Sequence, residues 1–146
     1  MKGEPVKYKY NTNLEWISEK KGILKSEGKP DINVACPPEF GGHKNIWSPE
    51  DLFLASIEIC TLTTFLHLVK KARIEINSYS SFSKGIAELV GNSLEFTNIL
   101  INIKTEVNSE DDKLHVMKLI EKLPKICLVS NSVKTKIKLE SKINVA

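Results

Sequence analysis

The feature that most constrains the fold is an apolar stretch, residues 52–69, preceded by a strong helix-start signal. Ser48 can cap a helix, Pro49 fits its first turn, and Glu50 and Asp51 lie where the helix dipole favours negative charge. Apolar residues fall on nearly every face of the stretch. We therefore predict a long central helix that is enclosed on all sides.

Composition limits what surrounds this helix. The chain has 146 residues, of which 41% are hydrophobic and 27% charged, and this balance predicts a single domain spanning residues 1–146. The net charge of +3 comes from lysines spread along the chain, which argues against nucleic acid as a partner. Charged and polar residues leave residues 52–69 short of the roughly 20 clean apolar residues of a membrane span. The first residues lack a signal-peptide pattern, so we expect a cytoplasmic protein without membrane contact.

The remaining segments predict further strands and two more helices. Strands joined by tight turns are expected within residues 6–36, and two longer strands flank the hairpin-type turn Gly91-Asn92. Ser109 begins a second helix that Pro124 is expected to end, a short third helix starts near Cys127, and residues 135–145 alternate like a final strand. The fold class predicted is α+β.

The sequence contains three cysteines and no phosphate-binding loop, dinucleotide-binding glycine pattern, HExxH or CxxC motif. We therefore expect no cofactor and no metal. In a chain that is not secreted, the cysteines are better interpreted as thiols than as structural disulfides. Taken alone, Cys60 is more often a small buried apolar residue, and Cys36 is a strand-end residue. Cys127 differs, because N–H groups at the start of a helix stabilise a thiolate.

Three motifs in order give the chain a resemblance to a known family. They are PPEFGG at residues 37–42, SPEDL at 48–52 leading to Cys60, and CLVSN at 127–131. In these the chain resembles the osmotically inducible protein C and organic hydroperoxide resistance (OsmC/Ohr) proteins. The resemblance implies antiparallel sheets around a long buried helix, an intertwined homodimer, and a thiol peroxidase in which Cys60 attacks the hydroperoxide and Cys127 resolves the product as a disulfide. An external dithiol then regenerates the thiols.

The family also pairs a glutamate, matched here by Glu50, with an arginine from the N-terminal hairpin. The only arginine in this chain is Arg73, so Lys20 or Lys21 is the stand-in expected near the attacking thiol. Glu50 and Cys60 are about 15 Å apart on one straight helix. The resemblance therefore implies a site shared between two antiparallel central helices of a dimer.

Other interpretations stay open. The same fold could serve as a binding or redox-sensing module with little peroxidase activity, and nucleic-acid binding through the lysine-rich strands is a third alternative. His67 is expected to be a core or interface residue, and His43 and His115 a loop and a solvent-face residue. Three phenylalanines could line an apolar pocket, although core packing is the preferred interpretation: Phe40, Phe53 and Phe65.

Overall fold

The computed structural model describes residues 3–146, and these form an α+β fold, as predicted. The elements in chain order are β1 (Asn13–Ser18), β2 (Lys21–Lys25), β3 (Ile32–Ala35), α1 (Pro49–Lys71), β4 (Ile76–Val90), β5 (Ser93–Val107), α2 (Glu110–Ile126), α3 (Leu128–Asn131) and β6 (Ile137–Val145). The chain divides into two compact units, Met1–Leu52 and Phe53–Ala146. The single domain stays a prediction.

The first unit contains an antiparallel sheet in the order β1-β2-β3, which confirms the predicted N-terminal strands from residue 13 onward. Residues 6–12, which were also expected to be extended in a strand, lie in none. The loop that follows is a tight turn around a short 3-10 helix, Pro38–Phe40. Gly41 closes it in the left-handed region, with φ of 76°. A side chain on Gly42 would collide with the Cys36 carbonyl, so close backbone packing explains the second glycine of this loop.

The start of α1 has the predicted cap. The Asp51 N–H donates to Ser48 Oγ at 3.1 Å, and the Ser48 N–H donates back to Asp51 Oδ2 at 3.0 Å. This reciprocal arrangement satisfies two backbone donors at once. Helix formation at this end is therefore set by residues only three positions apart.

The prediction that α1 is enclosed on all sides is wrong for the single chain. Its buried residues recur every fourth position and form one stripe: Ile57, Thr61, Phe65 and Val69. On other faces Ile59 is 57% exposed and Leu66 is 41% exposed. Sequence hydrophobicity could not separate these faces, because apolar residues occupy all of them.

Helix α1 is, among the described residues, the one helix that is long and apolar enough to span a membrane. That property follows from length and composition only. Since the core helix of a globular protein has the same composition and α1 contributes its stripe to the core, the finding is weak evidence for a membrane span.

The second unit is built on a sheet in the order β4-β5-β6. Strands β4 and β5 form the predicted hairpin, in which Val90 faces Ser93 across the turn and Gly91 has φ of 63°. The expectation of wholly antiparallel sheets is corrected here, because β6 pairs with β5 in parallel. The physical reason is the connection: two helices carry the chain from the end of β5 back to its other end, as parallel pairing requires.

Helix α2 packs against β5 and β6 and supplies part of the core. Ser109 caps it as predicted, accepting the Asp112 N–H at 3.1 Å. Pro124 does not end the helix, which continues to Ile126. A proline removes one backbone hydrogen bond, but burial of Leu123 before it and of Cys127 after it keeps this last turn helical.

Candidate active site

Cys60 lies in the middle of α1, beside the buried stripe of that helix. It precedes Thr61, which is buried and whose hydroxyl donates to the Ile57 carbonyl at 2.7 Å. Cys60 itself is half-buried. The thiol therefore sits at the margin of the core, where a small molecule can still reach it.

Cys127 occupies the junction between α2 and α3. Its N–H donates to the Leu123 carbonyl at 2.9 Å, which closes α2, and its own carbonyl accepts the Asn131 N–H at 3.0 Å across α3. The short third helix predicted near this residue is confirmed. With 1% of its surface exposed, Cys127 is much less accessible than Cys60.

The structure brings the two thiols together, although they are far apart in sequence. The Cys60 and Cys127 thiols lie close enough for each to shift the pKa of the other. Both cysteines are reduced, and no disulfide joins them. Two thiols this close, on two different elements of the same unit, are the arrangement from which a disulfide can form.

The surroundings of the two thiols shift their pKa values in different directions. Burial raises the pKa of the Cys60 thiol, and the hydrogen bond to Cys127 raises it further. Burial alone would also raise the pKa of Cys127, but hydrogen bonds from Cys60, from the Ser130 side chain and from the N–H groups of Ser130 and Val129 outweigh it, so that this pKa is lowered. The two thiols of the pair are therefore not equivalent.

Two hydroxyl residues at this pair were not singled out from the sequence. Thr64, one turn after Cys60, acts to lower the pKa of that thiol, and Ser130 acts in the same direction on the pKa of Cys127. The signal for Thr64 is its i+4 spacing on a helix, which many threonines share. Ser130 lies within the CLVSN motif, but its contact depends on how α3 turns back on Cys127.

The other predicted site residues lie in the first unit. Lys20 Nζ donates to the Phe40 carbonyl at 2.7 Å, and Lys21 Nζ is 3.7 Å from Glu19 Oε2. Glu50 is in the first turn of α1, ten positions before Cys60. Its Oε2 is buried without a hydrogen-bond donor in the described chain. The catalytic roles assigned to these three residues stay predictions.

The weaker candidates have ordinary contacts. His43 Nε2 is 3.6 Å from Glu19 Oε2, and Cys36 Sγ is 3.6 Å from the Phe40 carbonyl oxygen. His67 and His115 are exposed. The Phe53 and Phe96 rings stack with their centroids 5.0 Å apart, and the centroids of the Phe65 and Tyr79 rings are 5.3 Å apart. Such ring packing is expected for core residues. Phe40 is 45% exposed, so it does not belong to that core.

No cluster of three or more potential metal-ligating side chains occurs in residues 3–146. The chemistry available at the cysteine pair is that of the two sulfur atoms and their hydroxyl and N–H neighbours. Each sulfur can be oxidised, and each can exchange with another thiol.

Solved structures with the same fold come from several bacteria. An OsmC-like protein of unknown function from Vibrio cholerae has a TM-score of 0.84 at 17% identity, over 93% of this chain and 100% of that one. An OsmC-like protein from Mycoplasma pneumoniae has a TM-score of 0.80 at 16% identity, with 95% and 99% covered. An organic hydroperoxide resistance protein from Elizabethkingia anophelis has a TM-score of 0.75 at 19% identity, with 97% and 99% covered.

Of the two sequence comparisons, the one with protein-family models identifies the same family as these structures. A search of the curated proteins gave no significant match. The family model described as OsmC-like protein matches residues 41–142, which include Glu50 and both cysteines of the pair. The match covers well over half of the chain and confirms the resemblance carried by the three motifs. This protein belongs to the OsmC-like family.

Proposed function

We propose that this protein is a thiol-dependent peroxidase that reduces hydroperoxides with Cys60 and Cys127. The observation that carries the proposal is the proximity of the two thiols, of which Cys60 is half-buried and Cys127 is enclosed. Membership of the OsmC-like family and the likeness to proteins named for organic hydroperoxide resistance support the same reaction class.

The reaction has three balanced steps. The Cys60 sulfur attacks one peroxide oxygen, the O–O bond breaks, and the thiol proton passes to the departing alkoxide, which leaves an alcohol and a Cys60 sulfenic acid. Cys127 then attacks the Cys60 sulfur, forming the disulfide and releasing water. An external dithiol reduces the disulfide by two exchanges and leaves as its own disulfide.

The difference in exposure supports the assignment of roles. A peroxide must reach the attacking sulfur, and Cys60 is the more accessible of the two. The resolving sulfur only has to reach Cys60, so enclosure of Cys127 is compatible with its task. A reducing cytoplasm is the location proposed, since it supplies the dithiols that the cycle consumes.

We further propose that the functional form is a homodimer. Helix α1 leaves Ile59 and Leu66 exposed. These exposed apolar side chains fit a surface that a second chain covers. Lys20 and Lys21 remain the residues proposed to supply positive charge to Glu50, which lies in the same unit.

Turnover of an organic hydroperoxide with dihydrolipoamide as the reductant tests the proposal. We expect Cys60→Ser to abolish turnover and Cys127→Ser to reduce it severely while Cys60 becomes over-oxidised. Cys36→Ser is the matched control and should retain activity. Undiminished turnover in Cys60→Ser would contradict the assigned role.

A second candidate is a redox-sensing or binding module, and the raised pKa of Cys60 is the observation that favours it. A protonated attacking thiol reacts slowly with peroxide. Mass spectrometry after one equivalent of peroxide separates the candidates. A sensor forms the Cys60–Cys127 disulfide without appreciable turnover, whereas a binding module forms no such disulfide.

A further inference from the structure

Asn131 ties the third helix back to the second across Cys127. Its backbone N–H donates to the Cys127 carbonyl at 3.0 Å, and its side-chain Nδ2 donates to the Lys125 carbonyl, also at 3.0 Å. One residue thus binds two carbonyl groups, one in the last turn of α2 and one at the junction between the helices. We call this pair of hydrogen bonds the Asn131 clasp.

Cys127 depends on such a clasp, because neither helix fixes its conformation alone. Its backbone is extended, with φ of −66° and ψ of 119°, at the point where α2 ends and α3 begins. Pro124 removes one backbone hydrogen bond from the last turn of α2. Helix α3 has only four residues, too few to be stable without further contacts. The direction of the Cys127 side chain therefore depends on contacts that join the two helices.

The other contacts of this segment leave that direction open. Val129 and Val133 pack against the apolar core, but apolar packing is not directional and does not select one orientation of α3. Thr135 Oγ1 donates to the Phe96 carbonyl at 2.6 Å, which fastens the chain to β5 beyond the end of α3. The amide of Asn131 supplies the directional restraint beside Cys127.

We propose that Asn131 is a positioning residue that keeps the Cys127 sulfur directed at Cys60, ready to resolve the sulfenic acid formed there. The inference rests on the proposed function, because it concerns the second step of that cycle. In this step the Cys127 sulfur bonds to the Cys60 sulfur, the S–O bond breaks, and the hydroxyl group leaves as water with the Cys127 proton. Restraint of Cys127 before the step reduces the conformational entropy that disulfide formation has to remove.

The clasp matters because resolution competes with over-oxidation. A sulfenic acid that waits in excess peroxide becomes a sulfinic acid, which the disulfide cycle cannot recover. Asn131 and Lys125 are both exposed, so the amide fills no space in the core and its replacement should leave the fold intact. The expected effect is that of one net hydrogen bond, roughly a two- to tenfold change in an equilibrium constant.

The first test measures the equilibrium between the Cys60–Cys127 disulfide and glutathione buffers of known composition, in the full chain and without peroxide. Oxidised glutathione takes two electrons and two protons from the thiol pair and becomes two reduced glutathiones. Peptide mapping by mass spectrometry separates this disulfide from any adduct on Cys36. We expect Asn131→Ala, and the isosteric Asn131→Asp whose carboxylate cannot donate, each to lower the equilibrium constant roughly two- to tenfold.

Ser132→Ala is the matched control and should keep the wild-type constant, because the Ser132 hydroxyl donates at 2.9 Å to the Leu128 carbonyl of α3 and not to α2. If Asn131 merely stabilised the fold, its loss would affect the reduced and oxidised proteins equally, so an unchanged constant in both Asn131 variants overturns the proposal. A constant that rises also overturns it, because Cys127 would then have to leave the clasp to reach Cys60. The same holds for a wild type that forms no disulfide between these two cysteines at any glutathione ratio.

The second test measures the products formed on Cys60 after excess peroxide, by mass spectrometry. We expect the ratio of sulfinic acid to disulfide to rise severalfold in Asn131→Ala and to stay at the wild-type ratio in Ser132→Ala. The rate of the first oxidation, measured with Cys127→Ser, should be the same with and without Asn131→Ala. An unchanged ratio in Asn131→Ala would count against the role in resolution. If even the wild type forms neither product, the proposed peroxidase function fails, and the glutathione equilibrium alone decides whether Asn131 positions Cys127.

Discussion

At the scale of single residues, a carboxylate on α1 is held by two hydroxyls of β4. Ser81 Oγ and Ser83 Oγ each donate to a different oxygen of Glu58 at 2.5 Å. Tyr79 lies on the same strand, two residues before Ser81. These polar side chains join α1 to β4, which is an edge strand of its sheet. On α1 they lie beside the apolar stripe that packs into the core.

Tyr79 gives this region a measurable pH dependence. Burial, assisted by the nearby Glu58 charge, raises its pKa to about 12. An unfolded tyrosine loses its proton near pH 10, so the stabilisation from the neutral phenol is complete below about pH 10 and is lost as the pH rises towards 12. Ultraviolet titration of wild type and Tyr79→Phe should show one late-titrating tyrosine only in the wild type. A wild-type protein whose tyrosines all titrate near pH 10 would contradict this.

Gly85 is a position where any side chain has to displace packed neighbours. A Cβ there would lie 2.7 Å from the Phe96 ring and 3.0 Å from Leu54. We expect Gly85→Ala to lower the free energy of unfolding by about 1–3 kcal/mol through overpacking, measured by urea denaturation. Gly3→Ala is the control, because nothing lies within 4 Å of that position, and its effect should be near zero.

Residue-level roles divide into those that local sequence reveals and those that need the fold. The motifs marked Cys60 and Cys127 as a pair, and the structure places their thiols close enough to affect each other's pKa. The parts played by Thr64 and Ser130 were not predictable, because a hydroxyl one turn from a cysteine is common in helices. Ser130 acts on the Cys127 thiol because α3 begins directly after that cysteine.

At the scale of elements, boundaries are well specified where a few neighbouring residues determine them. The caps Ser48 and Ser109 and the turn at Gly91 were all predicted from local patterns and are confirmed. The parallel pairing of β6 and the exposed face of α1 were not, because each depends on contacts between distant segments. Pro124 was misjudged for the same reason, since tertiary burial outweighs its local helix-breaking tendency.

At this scale the clearest prediction concerns the N-terminal cap of α1. Ser48 is 4% exposed and shares a reciprocal pair of hydrogen bonds with Asp51. We expect Ser48→Ala to lower the free energy of unfolding by about 1 kcal/mol, and Ser48→Thr to retain most of the cap. Urea denaturation of both variants measures this. Equal loss of stability in the threonine variant would show that the hydroxyl is not the cause.

At the scale of the whole molecule, the proposed dimer determines whether the site is complete in one chain. Positive charge is distributed along the sequence, and the described chain leaves many large apolar side chains exposed, among them Ile59 on α1 and Leu114 on α2. The family resemblance implies that α1 meets a second copy. The exposed residues of this helix, rather than those of α2, should then control association.

Sedimentation equilibrium distinguishes these two surfaces. We expect wild type and Leu114→Glu to sediment as dimers, and Ile59→Glu to shift towards monomer because a carboxylate would be buried unpaired at the interface. A monomeric wild type would contradict the dimer. Equal dissociation constants for the dimers of both variants would place the interface away from Ile59.

The parallel pairing of β6 has a consequence for the order in which the molecule assembles. The β4–β5 hairpin is local and can form early, whereas β6 can join only after the crossover through α2 and α3 has closed a long loop. Since α2 packs on β6, we expect Cys127 to reach Cys60 late in refolding, as pulsed alkylation of the two thiols would reveal. A partly folded chain would then expose an isolated, unprotected Cys60, so oxidants would be most damaging while the protein is still being made.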